Sequence, residues 1–78
     1  MSIESRETAL AVLARVTGRP RGEISIDMNL VGDLGIDSPK ALELLLELEE
    51  ELGIEISDQD ASAMDTVRDV IAFADRMA

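Results

Sequence analysis

Ser38 is the residue around which chemistry is conceivable. It follows Gly35-Ile36-Asp37 and precedes Pro39-Lys40, at the head of a leucine-rich acidic stretch. A serine at the start of a helix sets its Oγ beside main-chain N–H groups that lack intrahelical partners and beside the positive end of the helix dipole. That setting favours an attached anion such as a phosphodiester. It equally suits a helix cap, which is the commoner fate of such a serine. Nucleophilic catalysis is a separate matter, because a serine hydroxyl needs an adjacent base. The chain has no histidine, and its one lysine, Lys40, lies two positions on, where helical side chains point to different faces. Asp37 is too weak a base as an exposed carboxylate to activate a hydroxyl. Ser38 therefore reads as an acceptor or a cap, and the chain offers no catalytic residue.

The segment after Ser38 carries charge of one sign. From Ala41 to Val67 there are acids and no basic residue. Glu43, Glu47 and Glu50 fall at i, i+4 and i+7 on one helical stripe, with Leu42 and Leu46 on its border. The default for such a stripe is a solvated face. Carboxylates with no interleaved cation repel one another, however, and that gives physical support to an interaction role: an apolar middle with a negative rim, complementary to a basic partner. A calcium loop is not expected. Counted from Asp27, Asn29 stands at position 3, Gly32 at 6 and Asp33 at 7, but Val31 occupies position 5 and Ser38 occupies position 12, where a bidentate glutamate is required. No metal site is assigned; weak divalent association with the clustered carboxylates would only relieve repulsion.

These residues must be positioned by a small aliphatic fold. The chain has 78 residues, enough for one domain over 1–78 with a single core. It has no cysteine, which together with the missing histidine excludes disulfides, thiolate or imidazole metal ligands and histidine-based triads. Phe73 is its one aromatic residue, so packing rests on Leu, Ile, Val, Ala and Met, and an all-helical fold is expected. A net charge of −10 argues against nucleic acid as partner. The apolar runs are too short to span a bilayer and the N-terminus is polar, so neither signal peptide nor membrane anchor is expected, and the chain reads as cytoplasmic.

Periodicity predicts a first helix over 4–16, with Ala9, Val12, Leu13 and Val16 on one face, ended by Gly18 and Pro20. A long loop over 18–37 follows, pinned to the core by Ile24, Ile26, Met28, Leu30, Leu34 and Ile36; a loop of this length in a small domain implies a task. The second helix is expected from Ser38 as N-cap, with Pro39 at the first helical position, to Gly53. Ser57 opens a short third helix. The last begins at Asp65 or Thr66, where Thr66 and Asp69 have capping-box spacing with Asp in place of Glu, and runs to Met77. The fold class is all-α: a four-helix bundle with one short member.

The run Asp33-Leu34-Gly35-Ile36-Asp37-Ser38, leading straight into this acidic helix, resembles the acyl carrier protein family. The resemblance continues through Glu47-Leu48-Glu49-Glu50-Glu51-Leu52 to Glu55-Ile56 and Thr66-Val67, roughly two thirds of the chain. It implies a 4′-phosphopantetheine arm on Ser38, attached from coenzyme A by a separate phosphopantetheinyl transferase in which Asp37 helps place metal. It implies too that acyl-loading and acyl-using enzymes of fatty-acid, lipid or specialised acyl metabolism dock their basic patches on the second helix, through Leu42, Glu43, Leu46, Glu47, Glu49 and Glu50. Pro39 and Lys40 adjoin the arm and depart from the commonest family pattern, which points to a specialised carrier whose partners meet these two residues.

The expected function is thus a stand-alone, monomeric carrier of thioesters, not an enzyme. A core poor in rigid groups should separate to admit an acyl chain, with Leu45, Leu48, Ile56, Met64 and Val70 lining the space. Two alternatives remain at this point: an unmodified acidic helical adaptor for a basic partner, and a peptidyl or aryl carrier of a nonribosomal pathway, the latter disfavoured by the strong acidity.

Overall fold

The computed structural model describes residues 3–77, so Met1, Ser2 and Ala78 of the expected domain lie outside the described residues. Four helices follow in order: α1 (Ile3–Thr17), α2 (Ser38–Leu52), α3 (Asp58–Ser62) and α4 (Val67–Met77). There is no strand among the described residues, only an isolated antiparallel bridge between Asn29 and Thr66. None of the helices among those residues is long and apolar enough to cross a membrane.

α1 packs on both α2 and α4 through the face that periodicity marks: Ala9, Val12, Leu13 and Val16 are buried. It ends where Thr17 Oγ1 donates to the Leu13 carbonyl at 2.6 Å and the Gly18 amide donates to the Ala14 carbonyl at 2.9 Å. Its last turn also receives Lys40, whose Nζ donates to the Val16 carbonyl at 3.3 Å, a cation at the negative end of a helix. α2 contributes Leu44 and Leu48, and α4 contributes Val67, Val70, Ile71, Phe73 and Ala74.

The loop over 18–37 is held at several levels. Its first part contains a short 3₁₀ turn over Arg21–Glu23, which periodicity does not reveal. Leu30, Leu34 and Ile36 are buried, and Ile24, Ile26 and Met28 pack against the core as expected. The loop also completes the start of α4. The Val67 amide donates to the Met28 carbonyl at 3.0 Å, and the Arg68 amide donates to the Ile26 carbonyl at 2.9 Å, so donors with no partner inside the helix find one in the loop. Arg68 and Asp27 add an ion pair at 2.7 Å across the same junction.

The capping box of α4 forms in the expected register. Thr66 Oγ1 accepts from the Asp69 amide at 3.2 Å, while Asp69 Oδ2 accepts from the amides of Asp65 at 2.9 Å and Thr66 at 3.0 Å. These main-chain donors, Asp65 first and then Thr66, hold the Asp69 carboxyl below its ordinary range. α3 begins as expected at Ser57, whose hydroxyl accepts from the Asp60 amide at 3.0 Å.

α2 stops at Gly53, which adopts φ +65°, a left-handed conformation that costs glycine little. The amides of Gly53 and Ile54 both return to the Glu49 carbonyl, and the Glu49 carboxylate accepts from the Ile56 amide at 2.8 Å. Glu49 thereby fixes the exit of the chain from α2.

Candidate functional site

A compact turn delivers Ser38 to the surface. The Asn29 carbonyl accepts from the amides of Asp33 and Leu34, and Asp33 Oδ2 accepts from the Asn29 amide at 2.7 Å. Gly35 then turns the chain at φ +66°, and the Ile36 amide donates to the Leu30 carbonyl at 3.0 Å. Leu34 and Ile36 point inward on either side of this turn, leaving Asp37 and Ser38 exposed. The glycine is needed for its backbone alone, since a Cβ there would touch nothing.

The cap of α2 differs from expectation. Asp37, and not Ser38, is the N-cap: its Oδ1 accepts from the Lys40 amide at 3.0 Å and its carbonyl accepts from the Ala41 amide at 2.8 Å. Aspartate and serine cap about equally well, so a neighbouring pair of them leaves the register open by one residue. Ser38 is consequently the first helical residue and Pro39 the second. The serine hydroxyl has no hydrogen-bond partner among the described residues.

The bank of unpaired N–H groups expected at this helix start is also smaller. Pro39 has none, Asp37 takes that of Lys40, and only the Ser38 N–H of the first turn remains open to an incoming group. The carboxylate of Asp37 further offsets the positive end of the dipole.

Beside Ser38 opens an apolar pocket of about 240 Å³. Leu30 and Ile36 of the loop, Ala41, Leu44 and Leu45 of α2, and Ala61 and Met64 of the α3 segment line it, with Val31, Asp37 and Ser38 beside them. Of the five residues expected on such a lining, Leu45 and Met64 are there. Leu48, Ile56 and Val70 are not. Leu48 and Val70 are fully buried in the α1–α2–α4 core, and Ile56 is partly buried against that core. Helical periodicity marks a side chain as inward-facing; it does not distinguish packed interior from open cavity. Val31, 73% exposed beside the pocket, has no periodic signal and was not expected there.

The acidic face of α2 is differentiated in the same way. Leu42 and Leu46 are 59% and 55% exposed, so a pair of large apolar side chains at i, i+4 does face solvent. Glu43 and Glu50 flank them, exposed and without an ion pair among the described residues. Glu47 is engaged: Arg15 of α1 donates from Nε at 2.9 Å and lies 2.8 Å away through Nη2, and the same Nη2 reaches Glu51 at 3.3 Å. The hydrogen bond to Glu47 is the main reason the guanidinium holds its proton more tightly than usual. Glu49, expected on the docking face, is instead occupied with the Ile56 amide. The repulsion predicted within α2 is thus partly relieved by a cation more than thirty residues away in sequence.

Comparison with known proteins bears on this arrangement. A family model described as the phosphopantetheine attachment site matches residues 7–74. An acyl carrier protein of Solidesulfovibrio magneticus is 37% identical over 70 residues, covering 90% of each chain, and one of Rickettsia bellii is 31% identical over 67 residues, covering 86% of this chain and 83% of the relative. The chain belongs to the acyl carrier protein family. A solved structure from Mycobacterium tuberculosis, described as an acyl carrier protein, superposes on this acyl carrier with a TM-score of 0.80 at 41% identity, covering 87% of this chain and 90% of the other. Membership makes the protein a carrier that works with partner enzymes and not an enzyme itself, and gives it 4′-phosphopantetheine as cofactor.

Proposed function

We propose that Ser38 is the attachment residue of this carrier, that the pocket beside it receives the near end of the cargo, and that α2 presents the docking face. The observation that carries the reading is the division of labour between Asp37 and Ser38. Asp37 caps the helix, so the hydroxyl next to it is exposed and not held by another group. The residues present fit a phosphodiester-linked arm: an available hydroxyl, one open N–H, and an apolar pocket within reach of the attachment point. When bound, the group supplies a thiol that holds an acyl chain as a thioester.

The protein's own residues act around that point. Asp37 keeps the first turn of α2 closed so that Ser38 stays outward. Leu45, Met64, Ile36 and Ala41 exclude water from whatever enters the pocket. No base stands against the Ser38 hydroxyl, which supports modification by a separate phosphopantetheinyl transferase using coenzyme A. Leu42, Leu46, Glu43 and Glu50 form an apolar patch with a negative rim, suited to weak, fast exchange among partners with basic docking patches. Pro39 and Lys40 lie between attachment point and patch, where a partner meets both. We take the carrier to act as a monomer in the cytoplasm with no nucleic-acid partner, in keeping with its net charge of −10.

Incubation with coenzyme A and a broad-specificity phosphopantetheinyl transferase tests the reading. The intact mass should rise by one phosphopantetheine, and Ser38→Ala should abolish the rise. No rise with several transferases would reject it. Subsequent acylation should move the amide resonances of Ile36, Leu45 and Met64 more than those of Leu48 and Val70; the reverse pattern would reject the pocket assignment.

A further inference from the structure

α2 carries five carboxylates from Glu43 to Glu51, but they are not equivalent, and the difference originates outside the helix. Arg15 stands in the last turn of α1 and bridges Glu47 and Glu51, one turn apart on α2. Both acids lie in the C-terminal half of a helix that has no basic residue in its last turn, where negative charge is least favoured. Glu47 neighbours Leu46 and Glu50 and is at i+4 from Glu43, so it belongs to the same patch that a basic partner would contact. A partner arginine approaching that patch finds Glu43 and Glu50 open and Glu47 already holding a guanidinium.

We infer that Arg15 is an intramolecular competitor for the docking face: it occupies Glu47 and Glu51 in the unbound carrier, and a basic partner gains the full acidic face only by displacing it. The inference rests on the docking reading of α2 above. The occupant it commits to is a protein surface with apolar side chains for Leu42 and Leu46 and guanidinium groups for the carboxylates around them, because the rim of the patch is acidic and a guanidinium has several donors with which to bridge neighbouring carboxylates, as Arg15 does with Glu47 and Glu51. Arg15 is half-exposed and its pairs face solvent, so displacement is a small step and acts as a graded filter. Partners that read only Leu42, Glu43, Leu46 and Glu50 bypass it. Partners that need Glu47 compete with it.

The test uses the full chain and a synthetic amphipathic leucine–arginine peptide as probe, with affinity measured by titration calorimetry at about 0.1 M salt, where exposed charges are screened beyond about 10 Å. Arg15→Gln and Arg6→Gln change net charge equally, but only the first releases Glu47 and Glu51. Arg15→Gln should bind the peptide about two- to fivefold more tightly than Arg6→Gln, the range expected for an exposed pair. Glu47→Gln should weaken binding more in the Arg15→Gln background than in the parent. Arg15→Lys, which cannot bridge two carboxylates in the same way, should fall between. Melting curves for each variant verify folding. Equal affinities for Arg15→Gln and Arg6→Gln, or an equal cost of Glu47→Gln in both backgrounds, would overturn the inference. The peptide binds the unmodified chain, so these readouts are independent of whether Ser38 accepts an arm. A chain that takes the arm but shows no coupling loses only this inference, and one that shows coupling but never takes the arm loses only the carrier reading of Ser38.

Discussion

Leu45 and Leu48 lie one turn apart on α2 and are indistinguishable by periodicity, yet the structure assigns them different surroundings, and truncating each to alanine separates the two. Leu48 has no exposed surface and belongs to the buried core shared by α1, α2, α4 and the loop. Leu48→Ala should cost about 3–5 kcal/mol, the lost transfer energy plus the cavity left behind. A domain of this length has a total stability of roughly 4–12 kcal/mol, so that loss is about a quarter of it or more. At about 4–8 °C per kcal/mol, the melting temperature should fall by about 12 °C at least. Leu45 is half-buried and already borders open space, so Leu45→Ala removes partly exposed carbons and creates little new void, at a cost of about 1–2 kcal/mol. Urea unfolding followed by far-UV circular dichroism suits this helical chain, which has no tryptophan or tyrosine to report by fluorescence. A Leu45→Ala variant as destabilised as Leu48→Ala would show that the pocket is packed interior and would refute the assignment.

Three further perturbations test individual joints. The Asp69 carboxyl is held below its ordinary value by main-chain donors, so its contribution to stability is present above the unfolded carboxyl's range near 3.8 and is lost as pH falls through the lower folded value. Asp69→Asn should flatten the acid limb of a stability–pH curve, and a limb unchanged in midpoint and slope would contradict that. Lys40→Met should lower stability by about 0.3–1 kcal/mol by removing the cation at the end of α1, read from the same urea curves; an unchanged midpoint would show that the contact to Val16 carries no weight. Gly53→Ala should cost about 1–2 kcal/mol from backbone strain alone, because nothing lies within reach of the added methyl group, and a neutral substitution would mean that α2 can end another way.

The helices were legible because their signals are local. Ala9, Val12, Leu13 and Val16 repeat along α1, Gly53 ends α2, and Thr66 with Asp69 opens α4, each within a few residues of its partner. The family was legible for the same reason, in the run Asp33 to Ser38 and the helix that follows. What the chain conceals lies in competition and distance. Asp37 and Ser38 are rival caps, and Pro39 is acceptable after either, so the register of the cap is settled only by the turn through Asn29, Asp33 and Gly35. Arg15 meets Glu47 across 32 positions, and the loop meets α4 through main-chain bonds that no side-chain pattern encodes. Glu49 has the composition of a docking acid and the position of a tether. The expected cavity of Leu45, Leu48, Ile56, Met64 and Val70 divided because inward-facing side chains meet either a packed neighbour or a gap, and only tertiary structure separates the two.

The carrier role turns on what Ser38 bears in life. Fragmentation mass spectrometry of the protein isolated from its own cells reads this directly. A phosphopantetheine-sized modification, bare or acylated, is expected on a fragment containing Ser38 and on no other. A hydroxyl found unmodified throughout, or an arm mapped to another residue, would contradict it.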